Sequence, residues 1–237
     1  MANWEQLNFQ DRTSPIIEQL IFLHDHIMSI LTLIIRLVFY IFIIIIKNTQ
    51  NFTKIKENHS LEIIWTFLPG IILLLVAFPS LRLLYMSEES DNRSLNIKTI
   101  GHQWYWSYEY SNFQEIEFDR FIKPYELSTF RLLDVDQTLH LPLYLPAQIF
   151  ISSSDVLHSW TIPTIGVKAD SSPGRLNIIN ITPNKPGLYF GQCSEICGTN
   201  HRFIPITLQV ETTHNFSNWI KNILFIKSWK HWTFNSK

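Results

Sequence analysis

Cysteine is scarce in this chain: 237 residues hold only Cys193 and Cys197. That excludes the multi-disulfide framework that staples many small secreted domains. A single bridge between the two would close a very short ring, with little entropic return. Basic patches are missing too. The formal net charge is −1, and between Glu88 and Trp160 eleven acids stand against five bases. Nucleic acid is therefore not an expected partner. There is no internal repeat, and the one biased tract is an isoleucine-rich run near the N-terminus. No signal peptide is expected, because that run starts too late and is too long for an h-region.

Charge is nearly absent from two stretches. Residues 27–46 contain one charged side chain, Arg36, and residues 63–81 contain none. Roughly 20 helical residues cross a bilayer core, so each run is expected to span it. The loop between them carries Lys47, Lys54 and Lys56 against Glu57. Positive loops stay on the inner side, which puts both termini and the region after Tyr85 outside. Ser14-Pro15 reads as a helix start, with Glu18 placed well for the helix dipole. Pro69-Gly70 and Pro79 predict bends in the second span. Arg36 in mid-span costs on the order of 3 kcal/mol if unpaired, so it is expected to face another subunit or a polar path. His24 and His26 sit two apart on a helix and point away from each other, which favours polar groups at the membrane edge over a metal site. On residues alone, Glu62 reads as an interfacial helix end, with the mouth of a proton path as the alternative.

The rest of the chain changes character. Short segments of β type occur at 95–100, 103–110, 138–145, 148–153, 176–181, 187–191 and 206–211, separated by Pro, Gly, Asn and Asp. They predict a sandwich or barrel. The aromatic run Trp104-Tyr105-Trp106-Ser107-Tyr108-Glu109-Tyr110 is expected to alternate between core and surface, or to offer an interface or a point of electron input. The acidic excess is either a solvated face or a docking surface for a basic partner. Residues 218–232 read as a terminal amphipathic helix.

Chemistry concentrates in residues 191–205, GQCSEICGTNHRFIP, where His201 follows Cys197 at the same interval that separates the two cysteines. Thiolates and imidazole at this spacing favour a metal over a disulfide. Zinc would need a fourth ligand. His158, at the end of the run 148–153, can supply a second imidazole if a β-sandwich brings its loop alongside. A mononuclear blue-copper site uses one cysteine, so a second cysteine argues for two bridged coppers. Charge shared between two bridged ions should reduce the rearrangement that accompanies each electron transfer.

The two N-terminal spans, GHQWYWSYEY at 101–110, DVLHSW at 155–160, PGR at 173–175 and CSEICGTNH at 193–201 resemble cytochrome c oxidase subunit 2, most closely its mitochondrial form. The resemblance runs from about residue 10 to residue 211. It implies a transmembrane helical hairpin (1–90), an all-β cupredoxin-like barrel or sandwich (91–211) and an amphipathic tail (212–237). It implies a dinuclear copper centre of the CuA type, with Cys193 and Cys197 bridging both ions and His158 and His201 each binding one. The carbonyl of Glu195 would be a weak further ligand, and its carboxylate would reach a magnesium ion shared with the large haem–copper subunit. Trp104 would take the electron from cytochrome c, with Glu109, Asp119, Asp136 and Asp155 helping it dock. Glu62 would mark the mouth of a proton channel. The resemblance also implies the mitochondrial inner membrane, both termini in the intermembrane space, partnership with other oxidase subunits, and reduction of dioxygen coupled to proton pumping. A copper-delivery protein would need no electron-input residue, and a quinol oxidase subunit would lack the cysteine and histidine ligands. One position departs: Ile204 stands where the family has a methionine ligand. The chain has 34 isoleucines and three methionines, an imbalance that a reading of AUA as isoleucine would produce where several mitochondrial codes read methionine.

Overall fold

The computed structural model describes residues 4–50, 57–89, 95–113, 116–124, 126 and 130–235, with side chains up to 226. Lys54, Lys56, Asp91, Arg93 and Glu115, and the side chains of Lys227, Trp229 and Lys230, lie outside the described residues. The chain divides into two compact units: Met1–Glu18 with Ser87–Lys237, and Gln19–Met86. The segment before the first span therefore groups with the β-rich part, and so does the C-terminal tail.

Two helices dominate the second unit. Helix α1 (Pro15–Lys47) and helix α2 (His59–Glu88) are both long and apolar enough to cross a membrane. The expected bends leave α2 unbroken: it runs through Pro69 and Pro79. Pro79 has no N–H, so the carbonyl of Leu75, four residues earlier, loses its helical partner. His26 Nε2 lies 3.1 Å from that oxygen. A carbonyl only accepts, so His26 carries its proton on Nε2 and donates. His24 Nδ1 instead sits 3.3 Å from Asp25 Oδ1. The two histidines thus serve separate partners, as their spacing predicts.

The other unit is built on ten strands: β1 (Leu95–His102), β2 (Tyr105–Tyr110), β3 (Glu117–Arg120), β4 (Leu139–Pro142), β5 (Ala147–Ser153), β6 (His158–Ile162), β7 (Val167–Ser171), β8 (Asn177–Ile181), β9 (Gly187–Gln192) and β10 (Pro205–Glu211). They form sheets in the orders β3-β2-β1-β5-β8, β4-β10-β9 and β6-β7. Strand β1 runs parallel to β5 and antiparallel to β2. Strands β3, β6 and β7 have no counterpart among the expected segments. β3 and β7 are short and carry Asp and Glu or Lys on exposed positions, which hides the apolar alternation. In β2, Trp106, Tyr108 and Tyr110 all point into the core, while Trp104 and Tyr105 are half-buried. Trp160 Nε1 donates to Tyr108 Oη at 2.9 Å, which satisfies both buried polar atoms.

Residues before α1 strap onto this core. Ser14 Oγ accepts from the Ile17 amide as an N-cap and donates to the Ile165 carbonyl, and Thr13 Oγ1 donates to the Thr164 carbonyl. Ile17 is buried. It closes on Gly166, whose φ is +78° and where an added Cβ would lie 2.8 Å from Ile17 Cβ. At the other end, helix α3 (Thr213–Asn235) buries Phe216 and Ile220 and stacks Trp219 on His140 at 4.3 Å. The described half of the tail is thus an amphipathic helix packed on the β-rich unit.

The His26 contact generates a test. His26→Leu should cost the hairpin about 1 kcal/mol, the usual scale of an interhelical hydrogen bond in a membrane. Adding Pro79→Ala restores an amide to pair with Leu75 and should remove most of that cost. Reversible unfolding in bicelles across the double-mutant cycle reads the coupling; additive effects would refute it.

Candidate metal centre

Strand pairing brings the two cysteines to their place. β9 ends at Gln192, which pairs with Pro205 at the start of β10, so residues 193–204 form a loop closed at its base by a ladder. The Cys193 amide extends that ladder to the Ile204 carbonyl at 3.0 Å, and the Ser194 amide reaches the Ser159 carbonyl at 3.1 Å. The second bond ties the loop to β6. His158 is the first residue of β6 and fully buried. It sits at a strand start rather than in the loop expected after 148–153.

The donor atoms converge. Cys193 Sγ and Cys197 Sγ lie 4.0 Å apart and both cysteines are free and buried. His158 Nδ1 is 3.9 Å from Cys193 Sγ, and His201 Nδ1 is 3.5 Å from Cys197 Sγ. Each sulfur therefore has an imidazole nitrogen within 3.9 Å, and His201 acts on Cys193 as well. The ligand atoms of His158, Cys193 and Cys197 all fall within 4.8 Å of one another. A bond between the sulfurs would need about 2.05 Å, so the disulfide alternative does not describe this loop. Thiolate and imidazole bind d-block ions at roughly 2.0–2.3 Å, and donors spaced in this way fit around such ions. Burial opposes ionisation of Cys193, but His158 and the peptide groups of Glu195 and Ser159 hold its pKa down; burial and the neighbouring Cys193 push Cys197 up. One thiolate forms readily, and the second forms when a metal cation replaces its proton.

The surroundings aim the imidazole. His158 Nε2 is 2.8 Å from Asp155 Oδ1, which leaves Nδ1 turned toward sulfur. Asp155 also accepts from the Val156 amide on Oδ1 and the Gln103 amide on Oδ2, both at 2.6 Å. Trp106 packs edge-on against the His158 ring at 5.7 Å. Gly101 leaves room for it: a Cβ there would lie 2.9 Å from His158 Cδ2 and 3.0 Å from Cγ. Gly101, Gln103 and the orienting role of Asp155 were not legible from spacing, although Gly101 and Gln103 stand directly beside the aromatic run.

The remaining residues are distributed as follows. The Glu195 carbonyl lies 3.4 Å from Cys193 Sγ, and its side chain is exposed. Ile204 is buried, ending the loop. Trp104 is half-buried, and its Nε1 has no hydrogen-bond partner among the described residues. Glu109 pairs with Lys98 at 3.3 Å. Asp119 and Asp136 are exposed, and Asp136 Oδ1 accepts from the Phe121 and Gln137 amides. Glu62 stands in the first turn of α2, 3.4 Å from His59 Nδ1, within the other compact unit.

Two family profiles match the chain. One, described as cytochrome C oxidase subunit II, periplasmic domain, covers residues 95–211; the other, its transmembrane domain, covers residues 2–83. Cytochrome c oxidase subunit 2 of Acheta domesticus is 51% identical over 224 residues, spanning 94% of this chain and 99% of that protein. The same subunit of Simulium vittatum is 49% identical over 223 residues, spanning 93% and 97%. Among solved structures, the periplasmic domain of subunit II of cytochrome oxidase from Bradyrhizobium japonicum is 36% identical, covers 56% of this chain and 96% of its own, and superposes with a TM-score of 0.53.

Crowding at Gly101 gives a prediction. Gly101→Ala should displace the His158 ring and weaken metal affinity about 10- to 100-fold, the scale of losing an orienting partner, while circular dichroism keeps the β signature. A competition titration with a chromogenic chelator measures it.

Proposed function

The chain belongs to the cytochrome c oxidase subunit II family, and we propose that Cys193, Cys197, His158 and His201 hold its dinuclear copper centre. Family membership makes the chain an electron-transfer subunit of a haem–copper oxidase of the inner membrane, with two membrane helices and a cupredoxin-like domain. The observation that carries the site assignment is the approach of an imidazole nitrogen to each buried sulfur, at 3.9 and 3.5 Å. When bound, the copper pair supplies a one-electron acceptor and donor.

The protein side supplies position and protection. Asp155 keeps His158 in the tautomer whose Nδ1 is free for ligation. Burial of both cysteines excludes water. Trp104, half-buried on the turn between β1 and β2, takes the electron from cytochrome c. Glu109, Asp119, Asp136 and Asp155 attract that basic partner. The carboxylate of Glu195 reaches a magnesium ion shared with the large subunit, and Glu62 opens a proton channel in the partner. Residues 91–211 carry the copper function, with 1–90 as anchor and 212–237 as an accessory tail. Both termini face the intermembrane space, as the lysines of the hairpin loop imply. Ile204 occupies the family's methionine position, and the native peptide is expected to carry methionine there; its mass decides.

Two experiments bear on this reading. Purified oxidase should show the near-infrared absorption of a mixed-valence copper pair, and Cys193→Ser or Cys197→Ser should abolish it; a colourless one-metal site would point to zinc or to copper delivery. Asp119→Asn should raise the KM for cytochrome c several-fold and flatten its salt dependence with kcat unchanged, because rim charges act mainly on encounter. Steady-state turnover at two ionic strengths checks it.

A further inference from the structure

Gln103 is exposed, yet it makes two bonds that no surface residue needs. Its main-chain N–H donates to Asp155 Oδ2 at 2.6 Å. Its side-chain Nε2 donates to the Cys197 carbonyl at 2.8 Å, across a sequence separation of 94 residues. Asp155 in turn holds His158. One residue thus touches both halves of the donor set, His158 through a carboxylate and Cys197 through its own peptide.

The next residue is Trp104. Its indole and the Gln103 amide both close on Gly198, which follows Cys197: a Cβ at Gly198 would lie 3.2 Å from Gln103 Nε2 and 3.2 Å from Trp104 Nε1. Gly198 has φ +122°, a conformation L side chains rarely adopt, so backbone shape and close approach both call for glycine. The turn between β1 and β2 is therefore fastened to the thiolate loop at the place where the indole meets it.

We infer that Gln103 is a positioning residue for electron input: its side-chain amide holds the Trp104 turn against the Cys197–Gly198 peptide. This rests on the reading of Trp104 as the residue that takes the electron. One electron passes from the reduced donor protein to the metal centre, and Gln103 gains or loses no proton. A carboxamide is required because the bond to Cys197 needs an N–H donor; leucine lacks one, and a carboxylate of the same shape only accepts.

The test uses purified oxidase carrying Gln103→Leu or Gln103→Glu, with Trp104→Phe alongside. Flash-reduced cytochrome c delivers the electron. Both Gln103 variants should slow input about tenfold, since small displacements of a reacting group cost that much or more. In Gln103→Leu the KM, its salt dependence and the near-infrared band should stay unchanged; Gln103→Glu adds a charge, so it is read only by its input rate at saturating donor and by its band. In metal-depleted oxidase, hydrogen exchange at residues 197–201 should speed up. Wild-type input rates in both variants, with Trp104→Phe slow, would overturn the positioning role and leave the Trp104 reading standing. Wild-type rates in all three variants would overturn both. A change confined to KM and salt dependence in Gln103→Leu would make Gln103 a docking contact instead. Loss of the near-infrared band would make it a support of the metal ligands and not of the indole.

Discussion

Two sulfur atoms buried 4.0 Å apart resist being ionised together. Each thiolate raises the cost of the other, and burial removes the water that would screen them. The fold around residues 193–201 is organised to hold the atoms in that costly arrangement. Base pairing of β9 with β10 fixes the loop ends, and the Ser194–Ser159 bond fastens the loop to β6. His158 and His201 approach one sulfur each. Protein dipoles alone do not balance two anions in this space, so the arrangement calls for cationic charge to complete it. Soft donors select copper or zinc, and the family decides for copper.

Asp155 sharpens the constraint. A carboxylate beside two thiolates adds a third negative group to the cluster, which would be unfavourable if it faced them directly. It does not: the His158 ring lies between, taking Asp155 on Nε2 and facing sulfur with Nδ1. The imidazole therefore separates the carboxylate from the sulfurs. Its ring is kept in place by Trp106 on one flank and by the missing side chain of Gly101. A core that packs a tryptophan edge against the His158 ring leaves that ring little freedom to reorient.

Sequence made the membrane spans, the cap at Ser14 and the thiolate loop legible because each is local. Length and apolarity define a span, a cap is read within four residues, and Cys193, Cys197 and His201 lie within nine. The strand at His158 was hidden because β6 is buried along most of its length and shows no alternation. Strands β3 and β7 were hidden by charges on their outer positions. Pro79 was expected to bend the span, but the partner that its lost N–H leaves to Leu75 was not legible, because the donor is on the other helix, 49 residues away in sequence. Gln103 shows the same limit: it precedes a conspicuous aromatic run, and only the fold brings it to Cys197.

Counting acids in the sequence treats all carboxylates alike, whereas the structure sorts them by which oxygens remain available. Asp155 has four donors on its two oxygens, from Gln103, Val156, His158 and Ser153, and Glu109 lies against Lys98. Asp119 and Asp136 stand exposed. A lysine can make contact only where an oxygen is open, and Asp119 and Asp136 leave one open. Long-range attraction follows a different rule. It depends on net charge within roughly a Debye length of about 8–10 Å, not on who holds the hydrogen bonds. A carboxylate engaged by an imidazole and backbone amides keeps its charge, so Asp155 still adds to the negative field of this surface. Open oxygens and net charge thus single out overlapping but different sets of acids, and Asp155 keeps its charge while its oxygens hold His158.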